Sequence, residues 1–349
     1  MSTFKITLSE HTDKEKEDSI SLMRQCFGGI DVATKTYYDW QYMMNPAGQG
    51  QVFIAYDNGN PAGQFACIPC IYKFHGKPIT IPLTVNLCVG PKYRGMGLMN
   101  RLIRRMHQFL SDQNSEFSVG VPNYASLRGH LSNGYVGLPL TLLVRPIRPS
   151  SYFKNKIVRD VAKPGDMIWK KAVVNGSQVV KLKNSFDTRF DTLGEIHSKG
   201  KILIQTRSSI YLNWRYKKNP SRRYETIQFC DSNGLMTGYM VTRISDINGV
   251  KLGFILEFIA NGLDTAKSLV YKTMEYLWNK NITFLIAATF PGNLEFKYLR
   301  KFGFFICPKR FRPHPFLLCL KIFDHNRQEF NILYDPGSWF FSIGDNDAI

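Results

Sequence analysis

"VGPKYRGMGLMNRLIRRM", residues 89–106, changes character halfway along. Residues 84–89 are apolar and β-branched, which predicts a buried strand, and Pro91 ends it. From Leu98 onward, Leu98, Leu102, Met106, Phe109 and Leu110 recur at helical spacing, with Arg101, Arg104 and Arg105 on the other side. Arg94, Gly95, Met96 and Gly97 lie between the two. The stretch therefore reads as strand, glycine-rich turn, helix. A helix start leaves backbone N–H groups unpaired at the positive end of the helix dipole, which suits a phosphate. Glycines let that backbone come close to a ligand. The spacing excludes two familiar phosphate loops, G-x-x-x-x-G-K-[ST] and G-x-G-x-x-G.

A second stretch, "VPNYASLRGHLSNGYV" at 121–136, carries Asn123, Ser126, His130, Gly134 and Tyr135 at offsets 0, 3, 7, 11 and 12. Arg94, Gly97 and Met99 occupy the defined positions of [QR]-x-x-G-x-[GA], with Met99 in place of the usual glycine or alanine. Together the two stretches resemble the GNAT superfamily of acyl-CoA-dependent N-acyltransferases, over residues 20–140. The resemblance implies acetyl-CoA, or another acyl-CoA, as co-substrate and no metal. It implies that Arg94, Gly95, Met96, Gly97, Leu98 and Met99 hold the pyrophosphate. The backbones of Leu87, Cys88 and Val89 pair with the pantetheine arm, and Asn123 and Ser126 complete the cofactor site. A primary amine attacks the thioester directly after losing its proton, since an alkyl ammonium has a pKa near ~10. The departing thiolate takes a proton from a general acid, in the family a tyrosine. Here His130 stands at that position, with an imidazole that titrates near neutrality, and Tyr124 is a second candidate. Cys88 reads as a small buried hydrophobe rather than a nucleophile.

The chain also repeats itself. "YYDWQYMMNPAG" at 37–48 is echoed by "YLNWRYKKNPSR" at 211–222, so that Trp40, Tyr42, Asn45 and Pro46 match Trp214, Tyr216, Asn219 and Pro220. Each copy precedes a strand, an Asn-Gly turn (Asn58-Gly59, Asn233-Gly234) and a second strand with an early glycine. "FPGNLEFKYLRKFGFF" at 290–305 matches 121–136 through Pro291 and Gly303-Phe304. The predicted fold is α/β (α+β): two tandem GNAT-like domains, each a mixed, mostly antiparallel sheet flanked by helices. The second copy of the strand–turn–helix stretch, "FILEFIANGLDTAKSLVYKTMEYL" at 254–277, offers no arginine and a single glycine at its turn. That half resembles a GNAT unit without its cofactor loop, an arrangement similar to the aminoglycoside acetyltransferases of the enhanced-intracellular-survival type. The expected organisation is a GNAT domain at 1–145, a basic linker at 146–185 and a degenerate domain at 186–349 with a docked tail. Within the linker, "VAKPGDMIWKKAVVNGSQVVKLKN" at 161–184 predicts a short hairpin and a basic strand. Two readings stay open there: a solvated connection, or a basic, aromatic-studded surface that meets acidic lipid or a phosphorylated carrier. In the enhanced-intracellular-survival relatives the chain terminus enters the active site. By that resemblance Asp345 and Asp347, after the aromatic Trp339-Phe340-Phe341, are candidates to bind or deprotonate the acceptor.

At 349 residues with 44% hydrophobic and 13% aromatic content, the chain has the composition of a packed globular protein. A net charge of +18 calls for an anionic partner: nucleic acid, an acidic membrane surface or a phosphorylated small molecule. No nucleic-acid module is recognisable. The N-terminal "MSTFKITLSEHTDKEKED" has no apolar core of a signal peptide, and seven scattered cysteines suggest reduced thiols in a cytoplasm. Cys67 and Cys70 form a C-x-x-C in a strand-like run without a second ligand pair, which argues against a metal site. The leading expectation is acetyl transfer to a small amine acceptor, with an amino sugar in nucleotide- or lipid-linked form favoured. Aminoglycoside, other small-amine or protein acetylation and a non-catalytic CoA-binding role are the alternatives. Peripheral membrane contact is compatible with the charge, and the sequence sets no oligomeric state.

Overall fold

The structure is a computed structural model that describes residues 4–28, 31–174, 180–182, 185–312, 316–324 and 327–346. It falls into two compact units, neither of them contiguous in sequence. One comprises Met1–Pro139, Trp214–Arg222 and His314–Ser338, the other Leu140–Asn213, Arg223–Pro313 and Trp339–Ile349.

The first unit is built on strands β1 (Lys5–Leu8), β2 (Gln51–Asp57), β3 (Asn60–Phe74), β4 (Lys77–Val89), β5 (Phe117–Gly120), β6 (Val136–Pro139) and β15 (Leu317–Ile322). They lie in the order β1-β2-β3-β4-β5-β15-β6, antiparallel except for β4 beside β5. Two-residue turns at Asn58-Gly59 and His75-Gly76, all four residues at positive φ, match the twist of the strands they join. Helix α1 (Asp13–Phe27) opens with a capping box between Thr12 and Glu15. Helix α3 (Leu98–Asp112) buries Leu98, Leu102, Ile103, Met106 and Leu110 against Phe53, Phe65 and Cys67 of the sheet. The short helices α2 (Lys35–Tyr38) and α4 (Tyr124–Ser132) complete the layers.

Both copies of the W-x-Y-x-x-N-P motif meet inside this first unit. The Trp40 and Trp214 rings stack at 4.8 Å, and each indole N–H donates to the other residue's carbonyl, at 2.9 and 3.0 Å. Asn45 and Asn219 each accept from the backbone N–H two residues on, closing the turn that the following proline begins. The repeat is a packing device.

The second unit carries β7 (Thr141–Pro146), β8 (Val180–Leu182), β10 (Glu225–Cys230), β11 (Met236–Ile247), β12 (Val250–Ala260), β13 (Phe284–Thr289) and β14 (Phe305–Ile306). Their order is β14-β7-β13-β12-β11-β10-β8, with β12 and β13 parallel and the other pairs antiparallel. β9 (Leu203–Gln205) and β16 (Trp339–Phe340) pair in parallel. Around the sheet lie α5 (Lys156–Val174), α6 (Thr188–Ser198), α8 (Leu263–Asn279) and α9 (Leu294–Lys301), while α7 (Ser209–Tyr216) passes to the first unit at Trp214. Leu269, Met274 and Leu277 of α8 face Met240, Ile255 and Leu285 of the sheet.

Two differences from the sequence reading stand out. Residues 156–174 form a helix where a hairpin was expected: Asn155 caps it, and Pro164 sits inside it without ending it. β7, expected to close the first domain, pairs with β13 and β14 in the second sheet. In turn β15, near the end of the chain, sits between β5 and β6 in the first.

Candidate acyl-CoA site

The site begins where β4 outruns its neighbour. Pairing with β5 stops at Thr84↔Gly120, while β4 runs on to Val89. A bulge at this point shifts the register against β3, with Asn86 at φ 53. The Asn86 carboxamide holds it there by donating to Gln41 Oε1 at 2.9 Å and Tyr42 Oη at 2.7 Å. Beyond the bulge Leu87 and Val89 pack toward α3, while Cys88 is buried. One edge of Cys88–Val89 pairs with Gly63 and Gln64 of β3, and the opposite edge has left β5. Beyond Thr84 that edge pairs with no described strand of the sheet.

Eight residues, 90–97, connect β4 to α3. A short turn at Pro91–Tyr93 leads to an extended Arg94, then to Gly95 at φ 80 and Gly97 at φ 74. Both glycines need the left-handed region, and a Cβ on either would project into open space. Gly97 is the N-cap and has no side chain to satisfy the first turn of α3. The exposed loop therefore offers N–H groups, a helix N-terminus and the Arg94 guanidinium together, a set whose chemistry fits a pyrophosphate. Met99 explains its own departure from the usual small residue. Its side chain lies against Gly129 of α4, where an added Cβ would come within 2.7 Å of Met99 Cε and 3.3 Å of Ile103 Cδ1. The small partner has moved to the facing helix.

Asn123 caps α4, its side-chain oxygen accepting from Ser126 N at 3.0 Å and Ser126 Oγ at 3.1 Å. Tyr124 follows at the helix start and is exposed, four residues after β5 ends. His130 is only 3% exposed and lies edge-on to Phe65 with Tyr135 beside it. Its Nδ1 donates to the Ser126 carbonyl at 2.9 Å, which leaves Nε2 as an acceptor. Burial lowers its pKa, against the pull of that hydrogen bond. At neutral pH His130 is thus an uncharged ring with its proton committed, poorly set to donate as a general acid.

Sequence reading did not single out Cys26, 62 residues from Cys88 and on another element. Its Sγ donates to the Val89 carbonyl at 3.4 Å, the same oxygen that the Arg94 Nε reaches at 3.4 Å. The hydrogen bond from Cys88 and, against burial, the Arg94 charge pull the Cys26 thiol down to about 7. That same bond and burial push Cys88 well up.

In the second unit the tail is packed, with Trp339, Phe340 and Phe341 buried. Asp345 is not presented to a ligand: its carboxylate accepts from Arg207 Nη2 at 2.5 Å and from Ser342 N at 2.8 Å. Arg207 also pairs with Glu257 at 3.2 Å. Burial alone would lower the Arg207 pKa, but the two carboxylates carry it well above the ordinary value. Asp345 thus locks the tail through an ion pair. Asp347 lies outside the described residues. The connector that corresponds to the loop, between β12 and α8, is two residues long, Asn261 and Gly262. Among the described residues no cluster of three His, Cys, Asp or Glu side chains could hold a metal. No helix among them is long and apolar enough to cross a membrane.

A family model described as an acetyltransferase (GNAT) domain matches residues 7–135. No curated protein matches the sequence. Among solved structures, a GCN5-related N-acetyltransferase from Anabaena variabilis superposes with a TM-score of 0.65 at 14% identity, covering 92% of this chain and 73% of that one. A conserved protein of unknown function from Enterococcus faecalis, a probable N-acyltransferase, gives 0.60 at 14% over 94% and 74%. N-myristoyltransferase from Saccharomyces cerevisiae with bound myristoyl-CoA gives 0.60 at 14% over 92% and 82%. At such identities the likeness is one of fold.

Proposed function

We propose that this chain, which carries an acetyltransferase (GNAT) domain over residues 7–135, transfers an acetyl group from acetyl-CoA to the primary amine of a small acceptor. The observation that carries the reading is the connector between β4 and α3. Among the described connectors it alone combines an arginine, two left-handed glycines and a helix start without a side-chain cap, while its counterpart has only two residues. The second unit is then a degenerate copy of the same architecture, distantly similar to the enhanced-intracellular-survival arrangement, and it shapes acceptor choice. The surplus of positive charge favours an acceptor with phosphate, such as a nucleotide- or lipid-linked amino sugar.

In this reading the amides of Gly95 to Met99 and the Arg94 side chain hold the pyrophosphate. The edge of Leu87–Val89 that has left β5 aligns the pantetheine arm as a further strand would, with the Val89 carbonyl already taken by Cys26 and Arg94. Asn123 and Ser126 fix the start of α4 beside it. The neutral amine forms the new C–N bond as the C–S bond breaks, its proton passes to water, and the leaving thiolate takes a proton. The exposed Tyr124 hydroxyl suits that last donation better than the buried, uncharged His130.

The test is transfer of labelled acyl groups to a panel of amines, with acetyl and long-chain donors compared. Gly97→Val should abolish transfer in a protein still folded by circular dichroism, with a melting temperature lowered by the strain of a β-branched residue at φ 74. Tyr124→Phe should lower kcat by ~100-fold, in the range of general acid catalysis, whereas His130→Gln should act mainly on stability. An active Gly97→Val variant would sink the reading. A protein that binds CoA and acylates no amine would instead be an accessory factor.

A further inference from the structure

Helix α5 turns a charged face toward the body of its own unit. Arg159, Lys163, Asp166 and Lys170 recur at intervals of four, three and four residues, which sets them on one stripe of the helix. They line a cavity of about 420 Å³ together with Arg148 of the preceding turn and Trp278 at the end of α8. All of these residues belong to the second unit.

The charges in this cavity do not balance. Its single carboxylate, Asp166, accepts from Ser150 N at 3.0 Å and Ser150 Oγ at 2.6 Å, which ties α5 to the turn. Lys163 pairs with the exposed Asp160 at 2.8 Å. Arg148, Arg159 and Lys170 have no ion pair among the described residues. Two of them converge on one aromatic ring. The Arg148 guanidinium lies 4.2 Å over Trp278, and the Lys170 ammonium is 5.9 Å from the centroid of the same ring. Arg148 is held there by one further bond, from Nη1 to Asn281 at 2.6 Å, while its Nε is buried with no hydrogen-bond partner. Like charges gathered at one ring repel each other unless an anion lies between them.

We propose that this cavity is a site for a phosphate dianion, the headgroup of a small soluble phosphate monoester. A phosphate carries a charge of about −1.5 to −2 at neutral pH, which matches Arg148 and Lys170. The guanidinium supplies a planar fork and the ammonium a point charge. Arg159 and Lys163 extend the positive field along α5 and draw the anion in. The volume lies near the low end for ligand pockets, enough for a sugar-sized ester and too little for a whole acyl-CoA. The inference does not depend on acyl transfer.

The test is isothermal titration of the full chain carrying Gly97→Val, which removes the β4–α3 loop from the count, at an ionic strength held constant with chloride. The probes are inorganic phosphate and glycerol 3-phosphate. Each should bind once per chain in the millimolar range or below, the ester at least as tightly as the free ion, and each should displace the other. Arg148→Gln and Lys170→Gln should each weaken binding by ~10-fold. Lys170 is exposed, so its variant keeps the test sound if Arg148→Gln lowers stability. Absence of saturable binding would overturn the proposal. So would binding that withstands both substitutions and is lost in Arg94→Gln, which would belong to the loop. Weaker binding of the ester than of the free ion would overturn its assignment to a monoester.

Discussion

At the scale of single residues, Met99 and Gly129 show how a motif survives an irregular position. The usual small residue after the loop lets α3 and α4 approach. Here α3 carries the large side chain and α4 the small one. The atom that a Cβ at 129 meets is the mobile end of Met99, and alanine gains ~1 kcal/mol over glycine in a helix, so the bulkier Gly129→Val is the informative change: it should destabilise the protein by ~1–3 kcal/mol through overpacking, and Met99→Ala should restore part of that loss. A double-mutant cycle read by denaturant unfolding measures the coupling, and strict additivity would refute the pairing. Sequence alone located both residues but did not pair them, since one belongs to the loop motif and the other to no motif. It also placed Arg94, Gly95 and Gly97 where the structure forms the loop. It did not reveal that His130 is buried with its proton committed, or that Asp345 is consumed by Arg207, because burial and partners are tertiary facts.

Elements add a different constraint. The inner face of α3 carries His107, whose ring lies against Tyr135 and Phe323. Burial, with smaller effects from Lys321 and His130, lowers its pKa to about 4. A histidine depressed in the fold stabilises it fully above the unfolded pKa near ~6.5. That contribution fades as pH falls toward 4, because the unfolded chain binds the proton first. His107→Phe should therefore flatten the loss of melting temperature between pH 6.5 and 4. An unaltered pH profile would show that His107 is not the group responsible. α5 marks where local reading failed. Residues 161–184 predicted a hairpin and a strand, yet the Asn155 cap and the Asp166–Ser150 tie hold a helix across Pro164.

At the scale of the whole molecule, recurring residue patterns are plain in the sequence and the division into compact units is not. Recurrence of W-x-Y-x-x-N-P and of Asn-Gly turns marked the two halves, because local packing and turn chemistry leave a residue pattern. Strand pairing between distant segments leaves none. Nothing in "LLCLKI" at 317–322 says that it pairs between β5 and β6, or in 141–146 that it pairs between β13 and β14. Each compact unit is completed by a segment from beyond its own half of the sequence.

The central proposal is a matter of counting: two compact units, one acyl-CoA site. Isothermal titration of the full chain with acetyl-CoA measures it directly. One site per chain is expected, lost in Gly97→Val while the free protein remains folded by circular dichroism. Two sites, or a single site indifferent to Gly97→Val, would contradict it.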